Sequence, residues 1–196
     1  KDMLTAKKTR FYVSAKLRLI LQILIGVVIG LTSIKISYVT NIFGGVTLLD
    51  VFSIQILGFE IYLVPLLFTV FWYVLVFNSV NWSDGIPGLT IGLGTITMIV
   101  IGILTVRFYL ADDTPALREN SRFVFSILAI LIPSLLIGWY LNITPRILIG
   151  DSGTMFVAFM IASLAILVGG KVATVAVVLG VYLIDAFYVI VARIIN

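Results

Sequence analysis

Long apolar runs alternate with short polar stretches along the whole chain. The runs cover residues 17–36, 63–77, 89–106, 123–141, 155–168 and 172–191. At about 1.5 Å of rise per residue, roughly 20 helical residues cross the hydrocarbon of a bilayer. The pattern predicts an all-α polytopic membrane protein with six transmembrane helices in a single integral-membrane domain, 1–196. Residues 38–62 differ in kind. Asn41, Gly44 and Gly45 break the helical pattern, and Ile54-Gln55-Ile56 and Phe59-Glu60-Ile61 alternate around Leu57-Gly58. That alternation predicts a short β-hairpin on the outer surface, with a re-entrant segment as the alternative. Tyr38 and Tyr62 bracket it at interfacial belt positions. In the first run, Gly26 and Gly30 make a small-xxx-small face for helix packing, and Lys35 is placed to snorkel to the far surface.

Two of the polar stretches are rich in glycine and carry Asn and Asp. The first is Asn78-Ser79-Val80-Asn81-Trp82-Ser83-Asp84-Gly85-Ile86-Pro87-Gly88-Leu89, and the second runs from Asn142 through Pro145 to Gly150-Asp151-Ser152-Gly153-Thr154. Such groups are unfavourable beside hydrocarbon unless they meet water, a metal or a ligand. Asn78, Asn81 and Asp84 are three apart, which keeps them on one side if the helix extends into the turn. With six spans, both stretches fall on the same membrane face, as a shared site requires.

Charge sets the orientation. Lys1, Lys7, Lys8, Arg10, Lys16, Arg18, Arg146 and Arg193 fall on the face of the two loops. Lys35, Arg107, Arg118, Arg122 and Lys171 fall on the other, together with acidic residues. The positive-inside rule assigns the loop face to the cytoplasm, predicting a multi-pass cell-membrane protein with a cytoplasmic site. Only 11% of residues are charged, against roughly a quarter in soluble domains, which excludes the soluble globular class. The chain has no cysteine and no histidine. Disulfides and thiolate metal sites are therefore excluded, and the commonest general base and zinc ligand are missing. The net charge of +4 suits anionic headgroups or phosphorylated substrates; no nucleic-acid partner is expected. The chain starts at Lys1 and ends just after a spanning run, so a fragment of a longer protein is expected, without a cleavable signal pattern in its polar, basic start.

Any acid–base or metal chemistry must use the nine carboxylates. On the loop face these are Asp84 and Asp151, with Asn78, Asn81 and Asn142 nearby. Oxygen ligands without His or Cys select Mg²⁺ or Mn²⁺. Gly85, Gly88, Gly150 and Gly153 allow backbone N–H groups to approach a phosphate, and a helix starting at Thr154 would point its positive end there. These features point to metal-assisted phosphoryl transfer at the membrane surface. The competing reading is structural, because Gly-Asp-Ser-Gly is also a capping turn and Asp-Gly a common turn dipeptide. Asp112-Asp113 is read as a solvated helix cap. Asp185 is either a functional intramembrane acid or a hydrogen-bonded packing residue. Trp82 is read as an interface anchor.

The two loops resemble the signatures of the polyprenyl-phosphate N-acetylhexosamine-1-phosphate transferases, the glycosyltransferase 4 type. Asn78 to Leu89 is similar to N-x-x-N-x-x-D-G-x-D-G-L, and Asn142 to Thr154 to N-x-x-P-A-x-[IV]-F-M-G-D-x-G-S. Ser14 to Gln22 resembles the start of the span after the family's first acidic motif, and Val181 to Arg193 its P-x-x-D-x-x-x-x-x-x-R-R segment. The resemblance covers nearly the whole chain in order. It implies transfer of a sugar-1-phosphate from a UDP-N-acetylhexosamine to undecaprenyl or another polyprenyl phosphate, with release of UMP and a need for Mg²⁺, in cell-wall or surface-glycan synthesis. By the resemblance, Asp151 is the metal ligand and Asp84 the essential acid of the second motif, with metal binding as a further option. Asn78 and Asn81 shape the nucleotide pocket, and a homodimer is compatible. Three departures stand out. The family's adjacent aspartate pair would lie just before residue 14, represented here by Asp2 or by residues upstream of Lys1. Pro87 replaces the second Asp of D-G-x-D. The family's histidine-rich loop would follow the last span. Two other classes remain: a non-catalytic polyprenyl-lipid-binding relative, motivated by Pro87, and a transporter, against which the polar residues gather at one face without an internal repeat.

Overall fold

The computed structural model describes residues 14–32, 34–40, 46–56, 59–84, 86–111, 115–144, 147, 149–168, 180 and 184. Among these the element order is α1 (Ala15–Gly30), β1 (Tyr38–Thr40), β2 (Val46–Leu48), β3 (Ser53–Ile56), β4 (Phe59–Tyr62), α2 (Leu63–Trp82), α3 (Leu89–Ala111), α4 (Pro115–Ile143) and α5 (Gly150–Leu167). Four helices, α2 to α5, are long and apolar enough to cross a membrane. Of the six expected spans, four are thus shown among the described residues. The run at 172–191 lies outside them, apart from residues 180 and 184. The first run falls short because α1 has 16 residues, about 24 Å against the roughly 30 Å of hydrocarbon.

The start and stop of α1 follow from side-chain hydrogen bonds. Ser14 caps it by accepting the Leu17 N–H at 3.3 Å, as an N-cap serine does. The apolar run continues to residue 36, but the helix stops at Gly30. The Thr32 hydroxyl donates to the Ile29 carbonyl at 2.6 Å and accepts the Ile34 N–H at 3.1 Å, a local alternative to the helical ladder. The chain is then tied to α2, because the Ile36 N–H donates to the Thr69 hydroxyl at 3.0 Å. Lys35 lies over the Tyr62 ring at this end, 4.2 Å from its centre.

The other helices overrun the apolar runs that announced them. α2 continues five residues past Phe77, α3 reaches Ala111, α4 begins at Pro115, and α5 begins at Gly150 rather than near residue 155. Apolar patterning marks where hydrocarbon contact ends. Backbone hydrogen bonding carries the helix on into the interface, where polar side chains are solvated. Asp112 and Asp113 lie outside the described residues.

The expected hairpin is present as β3–β4, antiparallel with Ser53 opposite Tyr62 and Ile56 opposite Phe59. A second hairpin, β1–β2, pairs Tyr38 with Leu48 and Thr40 with Val46. Its strands of three residues are too short to show a period. Both hairpins stand at the end of the helices opposite Asp84 and Asp151.

α2 runs through the centre. Its Trp72, Tyr73, Val76, Phe77 and Val80 are buried against Val157, Ala158, Ile161, Ala162 and Ala165 of α5, with Met98, Ile101, Val124 and Leu128 completing the core. Polar atoms in this core are paired. The Trp72 indole N–H donates to the Ala162 carbonyl at 3.2 Å, and the Tyr73 and Ser163 hydroxyls meet at 2.7 Å. α1 packs on α2 through the expected glycine face. A Cβ on Gly26 would lie 2.9 Å from the Val70 Cα, and one on Gly30 would lie 2.7 Å from the Leu66 Cδ1. Close approach of this kind replaces the hydrophobic driving force that lipid does not provide.

Gly26→Val therefore forces α1 away from the α2 backbone. Overpacking of this kind costs about 1–3 kcal/mol, so the detergent-solubilised protein should melt several degrees lower. An unchanged melting temperature would show that the α1–α2 contact does not form as described.

Candidate active site

Asp84 and Asp151 reach the same end of the molecule by different routes. Asp84 follows Ser83, the C-cap of α2. Asp151 sits in the first turn of α5, where the helix dipole favours a negative charge. Asp84 retains solvent access, yet the surrounding protein strips part of its hydration and raises its pKa above the ordinary carboxylate range. The Thr154 hydroxyl pulls it down, the charge of Asp151 raises it further, and the Thr90 hydroxyl lowers it. The two acids therefore feel each other. Asp151 accepts from the Arg18 guanidinium of α1 at 3.1 Å, so α1, α2, α3 and α5 all contribute to this end. The pair is partly solvated, with Asp151 68% exposed, and a pair so exposed adds about 0–1 kcal/mol.

α5 begins at Gly150, not near Thr154. Gly150 has φ +62°, which glycine adopts without strain, and the Thr154 hydroxyl back-bonds to the Gly150 carbonyl at 2.9 Å. Gly153 is thus inside the first turn, where a Cβ would meet the Ile149 side chain at 2.5 Å. Among the described residues its N-cap, Ile149, makes no side-chain cap, and the first N–H groups of a helix are the ones left for water or an anion.

Asn142 joins the two loops. It is 5% exposed; its Oδ1 accepts the Gly88 N–H at 2.6 Å and its Nδ2 donates to the Ile147 carbonyl at 2.9 Å. In this arrangement the Gly88 N–H is held by protein rather than directed at a ligand. The turn it closes has Pro87 at its second position and Gly88 at its third with φ +82°, and the Leu89 N–H donates to the Ile86 carbonyl at 3.1 Å. That is the pattern of a type II turn.

The remaining candidates divide. Because α2 extends to Trp82, Asn78 and Asn81 do share a helical side as their spacing predicted. The Asn78 amide donates to the Gln22 Oε1 of α1 at 2.8 Å and to the Val74 carbonyl at 2.7 Å, which makes it a link between α1 and α2. Asn81 accepts the Asp84 N–H through its backbone carbonyl at 3.4 Å. Gly85 and Asp2 lie outside the described residues, as do Asp185 and Arg193. Sequence reasoning missed Arg18, Gln22, Thr90 and Thr154 as partners. Arg18 and Gln22, four apart on one face of α1, carried the signal that was there to find.

The donor set fits a hard divalent cation. Two carboxylates from separate elements converge with hydroxyl oxygens beside them, and their mutual repulsion is an imbalance that such a cation would relieve. Among the described residues no three His, Cys, Asp or Glu side chains cluster, so water and substrate phosphates would complete the shell, as is usual for magnesium.

Four apolar helices long enough to cross a membrane, with Asp84 and Asp151 at one end, describe an integral membrane protein. Comparison with known proteins narrows the class. The model of glycosyl transferase family 4 matches residues 10–169, and the chain belongs to that family. It is 27% identical over 196 residues to a probable undecaprenyl-phosphate N-acetylglucosaminyl 1-phosphate transferase of Bacillus subtilis (strain 168), covering 95% of this chain and 48% of that relative. It is 26% identical over 166 residues to a phospho-N-acetylmuramoyl-pentapeptide-transferase of Prochlorococcus marinus (strain MIT 9215), covering 84% of this chain and 42% of that relative. The chain spans about half the length of the curated relatives it matches. No solved structure gives a significant match.

Asn142→Ala orphans a buried N–H and a carbonyl, at a cost of about 1–3 kcal/mol. Thermal unfolding should show that loss, and hydrogen exchange at Gly88 should accelerate; unaltered exchange there would refute the link. Asp84 has the opposite sign. Its raised pKa means that folding favours the protonated form, so the ionised carboxylate subtracts from stability as pH rises above about 4. In magnesium-free buffer, the melting temperature of Asp84→Asn relative to the parent should climb between about pH 4 and pH 7. A flat difference would show that the carboxyl is not desolvated.

Proposed function

We propose that this chain belongs to a protein that transfers N-acetylhexosamine-1-phosphate from a UDP-sugar to undecaprenyl or another polyprenyl phosphate, releasing UMP for cell-wall or surface-glycan synthesis. The observation that carries this reading is the convergence of Asp84, Asp151 and Arg18 at one end of a bundle of membrane-spanning helices. There a lipid phosphate and a water-soluble nucleotide can meet. The relatives' names, which specify undecaprenyl phosphate and phosphosugar transfer, support it. Residues 1–196 act as a single domain in this reading, in the cell membrane with the site facing the cytoplasm, and a homodimer is compatible with it.

In the reaction a phosphate oxygen of the polyprenyl phosphate attacks the sugar-linked phosphorus. A new P–O bond forms, the bond to the bridging oxygen breaks, and UMP leaves with that oxygen. The nucleophile is already an anion, so a histidine base is not needed. Asp151 and Asp84 would hold Mg²⁺ or Mn²⁺, which when bound neutralises the diphosphate and stabilises the leaving UMP. Arg18 is placed to exchange Asp151 for a phosphate oxygen, to which guanidinium donors are well matched. The first turn of α5, with Gly150 and Gly153, offers N–H groups to the same anion. Gly88 shapes the opposite wall, Asn142 holds the two walls together, and Asn78 and Asn81 shape the nucleotide pocket from α2. A non-catalytic relative that only binds polyprenyl lipid is the second reading. It is favoured by Pro87, which stands where the family signature has an aspartate.

The test is UMP release by the complete native protein in detergent with UDP-N-acetylglucosamine, undecaprenyl phosphate and Mg²⁺. Release should require the lipid and the metal. Asp151→Asn should lower it about 10²–10³-fold, since loss of a ligand that organises transition-state charge is worth several kcal/mol. UMP from another UDP-sugar would change the donor alone. Silence with every donor from a folded protein would leave the lipid-binding reading.

A further inference from the structure

The far ends of α3 and α4 enclose a second feature. Thr105, Val106 and Tyr109 of α3 face Ser121, Arg122, Phe125 and Ser126 of α4 across a cavity of about 490 Å³, within the size range of small-ligand pockets. Along α3 it begins 16 residues from Leu89, about 24 Å from the Asp84 loop. It therefore stands at the opposite membrane boundary from the candidate active site.

Ser121 is anomalous there. Hydroxyls inside the spanning helices normally return a hydrogen bond to the carbonyl four residues back, and Thr69, Thr95, Thr105, Ser126 and Ser134 all do so. Ser121 is 2% exposed, and its Oγ is the only buried side-chain oxygen or nitrogen without a partner among the described residues. A buried hydroxyl left unpaired is unfavourable by about 1–3 kcal/mol. Its neighbour Arg122 is exposed and loosely held. It reaches the Tyr109 hydroxyl at 3.4 Å and lies 5.8 Å from the centre of that ring, near the outer limits of each interaction. Val106 and Phe125 are 44% and 55% exposed, so the mouth opens on the apolar surface the helices present to lipid.

From these observations we infer that the cavity binds an anionic glycerophospholipid from the far leaflet. The phosphate is held by the Arg122 guanidinium, an ester or glycerol oxygen accepts from the Ser121 hydroxyl, and the upper acyl chain lies along Val106 and Phe125. Arg122 stands two turns into α4, seven residues past Pro115, a depth of about 10 Å from which its long side chain can reach a headgroup phosphate. The lateral, apolar mouth admits a lipid and not a hydrated nucleotide. The site is independent of the proposed transferase reaction, whose lipid phosphate must sit at the other face.

The experiment uses the complete protein, stripped of lipid in detergent, and follows melting temperature and native mass spectra with three probes: phosphatidylglycerol, phosphatidylcholine with the same chains, and glycerol 3-phosphate. Phosphatidylglycerol should bind and raise the melting temperature, while the other two should not. Arg122→Gln should weaken that binding about tenfold. Ser121→Ala should weaken it several-fold while leaving the stripped protein as stable as the parent or more so, because the variant removes an unpaired hydroxyl; that opposite pair of signs separates a ligand contact from a structural role. Equal binding of both lipids, a shift produced by glycerol 3-phosphate alone, or unchanged phosphatidylglycerol binding in both variants would overturn the assignment.

Discussion

One buried amide governs how the loop face is assembled. Asn142 spans from the Gly88 N–H to the Ile147 carbonyl, and these groups belong to different loops. Without water nearby, each would be an unmet backbone group, and a side-chain amide can serve a donor and an acceptor at once. An aspartate could accept from Gly88 but could not donate to Ile147. Fixing these two loops fixes the entries to α3 and α5, and so where Asp84 and Asp151 stand. The two acids make no hydrogen bond to each other, so their proximity is a consequence of the scaffold, stable even though like charges oppose it.

The same economy runs through the membrane-spanning part. Hydrocarbon forbids unpaired polar groups, yet α2 to α5 carry many Ser and Thr residues. Back-bonding to the preceding turn hides most of them at little expense. Some hydroxyls that back-bond also reach across the bundle. Ser163 donates to the Phe159 carbonyl at 2.8 Å and accepts from the Tyr73 hydroxyl at 2.7 Å across α2 and α5, which registers those helices. Ser83 and Thr90 meet at 3.0 Å, closing the mouth of the first loop beside Asp84.

Much of this was legible because lipid imposes strict rules on sequence. Apolar runs located α2, α3, α4 and α5, the Gly26–Gly30 spacing marked a helix-packing face, and the spacing of Asn78 and Asn81 foretold their common side, while Asp84 lies past the C-cap of α2. Helix ends were less legible. A span's apolar limit is set by solvent, while its end is set by local hydrogen bonds such as those of Thr32 and Gly150. Partnerships across the bundle, such as Asn78 with Gln22 or Asp151 with Arg18, depend on packing angles; the shared face of Arg18 and Gln22 marks the face but not its partners. The link that Asn78 makes between α1 and α2 was therefore not legible in its spacing.

Pro87 shows how a departure from a family pattern can keep geometry while changing charge. A proline at the second position of a type II turn already has the required φ, and Gly88 supplies the positive φ at the third. The turn offers the Gly88 N–H to Asn142 whether or not its neighbour is acidic. What the substitution removes is a negative charge close to Asp84, whose pKa is already raised by desolvation and by Asp151. A third carboxylate there would raise the electrostatic cost of holding the site together without a cation. Its absence lowers that cost and weakens the attraction for a divalent ion. The turn therefore keeps its backbone shape without that charge, and the acids that meet at this end are Asp84 and Asp151, the latter paired with Arg18.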